Sequence, residues 1–124
     1  MIAGRFLLVC LGGAIGTAAR YATALWVPTM LGTSFPFATM IINAAGSFGI
    51  AFIMQLGFSP DIRAMLTTGV MGGFTTYSTF NYESTELLRE GAWLLGVSNI
   101  VGTVLICLVG GLAGAAAGRM IAGR

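Results

Sequence analysis

Forty consecutive residues, 21–60, carry no charged side chain. One bilayer-crossing helix needs only about 20 mostly apolar residues, so this stretch must fold back on itself and cross as two. Turn-forming residues in its interior, Pro28, Gly32, Thr33, Ser34 and Pro36, place the reversal. Residues 6–19, 64–82 and 91–118 are also free of charge, and the remaining breaks fall at Gly57, Ser59, Pro60 and Asp61 and at Arg89, Glu90 and Gly91. The pattern predicts an all-α integral membrane protein, a single domain over 1–124, with four transmembrane helices near 4–28, 36–57, 62–88 and 92–121.

Composition points the same way. Charged residues make up 8% of the chain, against about 25% in a soluble domain. Mean hydropathy is +0.91. The net charge of +2 comes from scattered arginines with no basic patch, so the expected surroundings are membrane lipid and no nucleic acid. With no His, and with Cys10 and Cys107 far apart, no side-chain metal cluster can be written. No ordered nucleophile and base are present, which excludes most enzymes. Arg5 followed by an apolar run and the small residues Thr17–Ala19 also fits a signal peptide, an alternative that would leave three helices. With four spans, Arg5, Arg63, Arg119 and Arg124 fall on one side and Arg20 and Arg89 on the other, a weak asymmetry compatible with insertion both ways round.

Glycines recur four apart, at Gly12 and Gly16, at Gly69 and Gly73, and at Gly110, Gly114 and Gly118. Small residues at that spacing cut a groove along a helix and let backbones approach, within one chain or between two. Four short helices seldom enclose a pore, so a working assembly calls for a second copy.

Polar groups inside the spans are costly and therefore carry functional meaning. Thr39 and Asn43 share one face of the second span, and Asn99, Thr103 and Cys107 share one face of the fourth. Such neutral donors suit a small anion, or else tie the helices together. In the third span, adjacent glycines and a cluster of hydroxyl residues over Gly69–Phe80 make a poor continuous helix. A break near Gly72–Thr76 would free carbonyls for a cation and amides for an anion, tolerated at membrane depth only where it is buried or lines a cavity. Tyr77 and Phe80 lie on one face, and ring edges can touch an anion without a full charge. Arg20 either snorkels to the headgroups or gathers anions at a pore mouth.

Three stretches resemble the Fluc (CrcB) family of fluoride channels: Gly12–Tyr21 with its glycines and Arg20, Thr39–Phe48 with Asn43 and Gly46-Ser47-Phe48, and Gly69–Glu83 with Gly72-Gly73, Thr75-Thr76 and the Tyr77/Phe80 pair. The resemblance covers essentially the whole chain. It implies a dual-topology, antiparallel homodimer in the cell inner membrane or plasma membrane. Two fluoride pores would run through it and export fluoride passively, giving fluoride resistance. It further implies a structural sodium ion at the dimer interface, held by the backbone carbonyls of Gly72 and Thr75. Asn43, Tyr77 and Phe80 would line the pore, Arg20 its vestibule, and Thr39, Ser78, Thr79 and Thr103 the polar path. Tyr77 departs from the family's usual Phe, Thr17 and Ala38 from its usual Ala and Gly, and Asn99 from a frequent Tyr. Fluoride is strongly hydrated, so a path needs replacement donors, yet a fixed deep charge would hold the ion too tightly.

Two other readings are compatible with four small helices. A proton-coupled multidrug exporter needs a deep carboxylate, and only Glu83 is available for that role. A membrane scaffold would use the glycines for packing alone.

Overall fold

The computed structural model describes residues 2–124. It is all-helical, with no strand among the described residues. Helix α1 spans Ile2–Leu31 and α2 spans Phe37–Gln55. The next segment is interrupted. A short helix α3 (Pro60–Ala64) passes into a π-helical stretch, Met65–Met71, then into α4 (Gly72–Phe74), and after two extended residues into α5 (Tyr77–Arg89). Helix α6 spans Trp93–Ala122. Of these, α1, α2 and α6 are each long and apolar enough to cross a membrane.

The first reversal comes later than Pro28 suggests. Proline costs α1 one backbone hydrogen bond at that point. The helix nevertheless runs on to Leu31 and stops at Gly32, whose φ of +79° is the left-handed conformation that ends helices and favours glycine. Gly32 N–H closes the end on the Pro28 carbonyl at 2.9 Å. The α3 start is locally encoded: Ser59 Oγ accepts from Ile62 N–H at 3.5 Å, and Pro60 occupies the first turn.

Glycines decide how the helices mate, and they do so within one chain. A Cβ on Gly12 would come within 2.5 Å of the Met65 carbonyl oxygen, and one on Gly73 within 2.5 Å of the Gly13 carbonyl oxygen. A Cβ on Gly16 would overlap the Val70 carbonyl outright. Thus α1 lies backbone to backbone on residues 65–74. These are the same residues, 6–19, that the signal-peptide alternative concerns. The second glycine series does the same for α6 against α2. Gly110 faces the Ala44 carbonyl, Gly114 the Phe48 carbonyl and Gly118 the Phe52 carbonyl, so two four-residue repeats run in step.

The distribution of polarity is that of a membrane protein. The buried hydrophobic side chains are Val27, Ile42 and Phe80, whereas Thr39, Thr76, Ser84, Asn99 and Thr103 are all buried polar ones. Large apolar side chains along α1 and α6, such as Leu7, Leu11, Leu94 and Leu112, face outward. Soluble domains show the opposite arrangement.

Candidate functional site

The helix breaks at two residues. Thr75 (φ −78°, ψ 155°) and Thr76 (φ −150°, ψ 107°) are extended, so the helical hydrogen-bond ladder cannot cross them. Each freed group then needs a partner. Asn43 on α2 supplies two: its Nδ2 donates to the Thr76 carbonyl at 3.0 Å and its Oδ1 accepts from Thr76 N–H at 2.8 Å. A primary amide is the side chain that can donate and accept side by side in this way. Thr76 also caps α5, its Oγ1 accepting from Thr79 N–H at 3.2 Å and donating to Thr79 Oγ1 at 2.9 Å. Ser78 Oγ lies 3.4 Å from the same Thr76 hydroxyl.

Gly73 O accepts from the Thr17 hydroxyl at 3.5 Å, whereas the carbonyls of Gly72, Phe74 and Thr75 stay free among the described residues, and two of these border a groove. In a continuous helix Thr76 N–H would reach Gly72 O and Thr79 N–H would reach Thr75 O. Asn43 has taken the first donor and the Thr76 side chain the second. Among the described residues neither carbonyl accepts a hydrogen bond. Gly72 and Thr75 both border one groove, and neutral carbonyl oxygens are the kind of ligand that could hold a hard cation.

That groove has a volume of about 730 Å³ and lies between α2, residues 67–75, α5 and α6. It brings together Asn43, Tyr77, Phe80 and Thr103 with the two carbonyl residues. The rings of Tyr77 and Phe80 meet edge to face, centroids 5.7 Å apart. Phe80 is buried, whereas Tyr77 is 77% exposed on the groove side.

Other residues singled out from sequence lie elsewhere. Arg20, Thr39 and Thr79 border a separate cavity of about 300 Å³, together with Thr76. Arg20 is half-buried and enters neither of the two ion pairs among the described residues, Arg5–Asp61 and Arg89–Glu86. Thr39 Oγ1 donates to Glu83 Oε1 at 2.8 Å, and Glu83 Oε2 is buried without a partner. Thr39, Thr79 and Glu83 border a third cavity of about 370 Å³. Ser78 lines none of these three cavities. The candidate residues therefore form two groups on either side of the Asn43–Thr76 staple. Thr76, bonded to Asn43 and bordering the smaller cavity, enters the sequence reading only as the end of the expected break and part of the motif, not as a site residue. The signal for it was available, because a threonine three residues before Thr79 at a helix restart is an N-cap pattern.

An apolar shell, a polar interior and an interrupted helix restitched by a half-buried amide define a multi-pass integral membrane protein. Residues 7–115 match the family described as CrcB-like protein, Camphor Resistance (CrcB), and the chain belongs to that family. It is similar to a protein of Anaeromyxobacter sp. (strain K), 44% identical over 124 residues, covering 96% of this chain and 98% of the relative. A Sorangium cellulosum protein is 42% identical over 125 residues, with 96% and 98% covered. One from Chloroflexus aurantiacus is 42% identical over 122 residues, with 94% and 97% covered. Each of these relatives bears the name fluoride-specific ion channel FluC.

Proposed function

We propose that the protein is a fluoride-selective channel of the cell membrane, and not an enzyme, that lets fluoride leave passively down its gradient. The observation that carries this reading is the groove: amide, hydroxyl and aromatic residues border it, and no charged side chain lines it. Such groups replace the ion's water while leaving binding weak enough for exit. The names of relatives at 42–44% identity agree. The exporter alternative has no comparable support, since Glu83 lies outside this groove.

The working unit is a homodimer. The groove is open on one side of the chain; Asn43, Ser47, Thr67 and Thr103 on it are bonded within the chain, but the Gly72 and Thr75 carbonyls beside it accept no hydrogen bond among the described residues, and lipid cannot supply one. A second copy that covers it turns each groove into a closed path, two per dimer. In this reading residues 60–89 form the third of four spans in chain order, and the weak arginine asymmetry admits an antiparallel pair. A sodium ion at the dimer interface would be held by the Gly72 and Thr75 carbonyls of both copies. It would neutralise their dipoles and brace the break. Arg20, beside Thr39 and Thr79 in the separate cavity, supplies the positive charge that gathers anions on the far side of the Asn43–Thr76 staple from the groove.

The test is efflux from liposomes loaded with potassium fluoride or potassium chloride, with valinomycin carrying the countercharge and a halide electrode following release. Fast fluoride release without chloride release is expected. Absence of fluoride release from well-assembled protein would sink the channel reading. The sodium proposal is checked separately. Protein prepared in sodium-free N-methylglucamine medium is expected to release fluoride more slowly and to recover when sodium is restored, and equal rates in both media would remove the ion from the scheme.

A further inference from the structure

Three buried side chains between α5 and α6 form a hydrogen-bond chain that ends at the groove. Ser84 Oγ donates to the Phe80 carbonyl at 2.8 Å, Asn99 Nδ2 donates to Ser84 Oγ at 2.9 Å, and Thr103 Oγ1 donates to Asn99 Oδ1 at 3.3 Å. Counting protons fixes the direction of the chain. Ser84 has one hydroxyl proton and gives it to Phe80, so toward Asn99 it offers only lone pairs. Asn99 must then turn its NH₂ to Ser84 and its oxygen to Thr103. That oxygen takes the single hydroxyl proton of Thr103.

Thr103 borders the groove, and Asn99 does not. Asn99 is 1% exposed and reaches the groove only through its neighbour. With its proton committed inward, Thr103 shows an anion lone pairs, which repel it. To serve as a donor it must first give up the bond to Asn99, the longest of the three.

We infer that Asn99 is a positioning residue that competes with the passing anion for the Thr103 proton and so weakens anion binding at this point of the path. The inference rests on the fluoride-channel reading and adds to it a residue that touches no ion. Weak binding favours conduction, because an ion held by a fully free donor leaves slowly.

The test measures fluoride efflux from liposomes over a range of fluoride concentrations. Asn99→Leu keeps the branched side-chain skeleton, at a somewhat larger volume, but removes the amide, leaving the Thr103 proton free. The half-saturating fluoride concentration is expected to fall by about fivefold, the net worth of one hydrogen bond. The shift is expected to vanish when Thr103→Val is present in both proteins being compared. A merely structural role would lower maximal efflux without tightening binding. Ser84→Ala removes the group that orients the Asn99 amide, and a smaller shift in the same direction is expected, which keeps the test open if Asn99→Leu does not fold. An unchanged or raised half-saturation in a well-assembled variant, or a shift that persists with Thr103→Val, overturns the inference. A wild-type protein that passes no fluoride overturns the channel reading and this inference with it, and is told apart because the unmodified protein is itself silent.

Discussion

Gly16→Val is expected to leave almost no assembled protein to extract from the membrane. A Cβ at this position would overlap the Val70 carbonyl and stand 2.9 Å from the Phe74 amide nitrogen. Both obstacles are backbone, so no rotamer change relieves them. Relief would require α1 to move away from residues 65–74, undoing the neighbouring contacts of Gly12, Gly69 and Gly73 as well. Overpacking of this kind costs about 3 kcal/mol, the upper end of the usual range, because the surroundings cannot repack. Gly114→Val is expected to behave alike through the Phe48 carbonyl on α2. Gly4→Val is the control, since a Cβ there meets nothing within 4 Å. Yield and peak shape in size-exclusion chromatography, followed by an unfolding titration in detergent, give the readout. Wild-type yield and unfolding midpoint for Gly16→Val would mean that the α1 seam is not the tight backbone contact described above.

That seam also marks how far the sequence could be read. Glycine spacing was visible, and so was the need for close backbone approach, because a missing Cβ acts locally. Which glycines meet was not visible. Four-residue spacing serves contacts within a chain and between chains equally, and only the three-dimensional arrangement pairs Gly12 and Gly16 with residues 65–74 and the α6 series with α2. The π-helical turns at Met65–Met71 left no signal at all. No Pro lies within them, and the one extra residue per turn is a matter of fit against α1, where side-chain periodicity is silent. The break itself was legible from the Gly72-Gly73 pair and the hydroxyl cluster, but its extended residues fall at Thr75 and Thr76, at the late edge of the expected stretch. Polar residues announced that a path exists without announcing that Arg20, Thr39 and Thr79 border a different cavity from Asn43 and Thr103. Helix-face arithmetic assigns a residue to a side of its own helix only. The neighbour filling that side comes from tertiary packing. Pro28 misled for a related reason, since its backbone penalty was outweighed once the rest of α1 was held in the bundle.

Asn43 gives the second large effect, and here the two functions of one side chain can be separated. Its amide satisfies both Thr76 backbone groups, and it also borders the groove. Asn43→Ala leaves a buried N–H and a buried C=O without partners, each costing about 1–3 kcal/mol. Even at the lower end the pair sums to roughly 2 kcal/mol, enough to depopulate the stitched break by about thirtyfold. Fluoride efflux from liposomes is therefore expected to drop by at least about that factor. Asn43→Asp asks a different question. A carboxylate still accepts from Thr76 N–H but turns an oxygen against the Thr76 carbonyl, and it places negative charge beside the groove. If Asn43 acted only as a staple, Asp would retain one of two bonds and conduct better than Ala. If it also stands on the anion path, charge repulsion makes Asp the worse of the two, and this second order is the one expected. Chemical cross-linking of each variant in the membrane shows whether assembly survives. An assembled Asn43→Ala protein that conducts within a few-fold of wild type would remove Asn43 from both roles. The reverse order, Asp above Ala, would keep the staple and move the path away from α2, toward the ring edges of Tyr77 and Phe80.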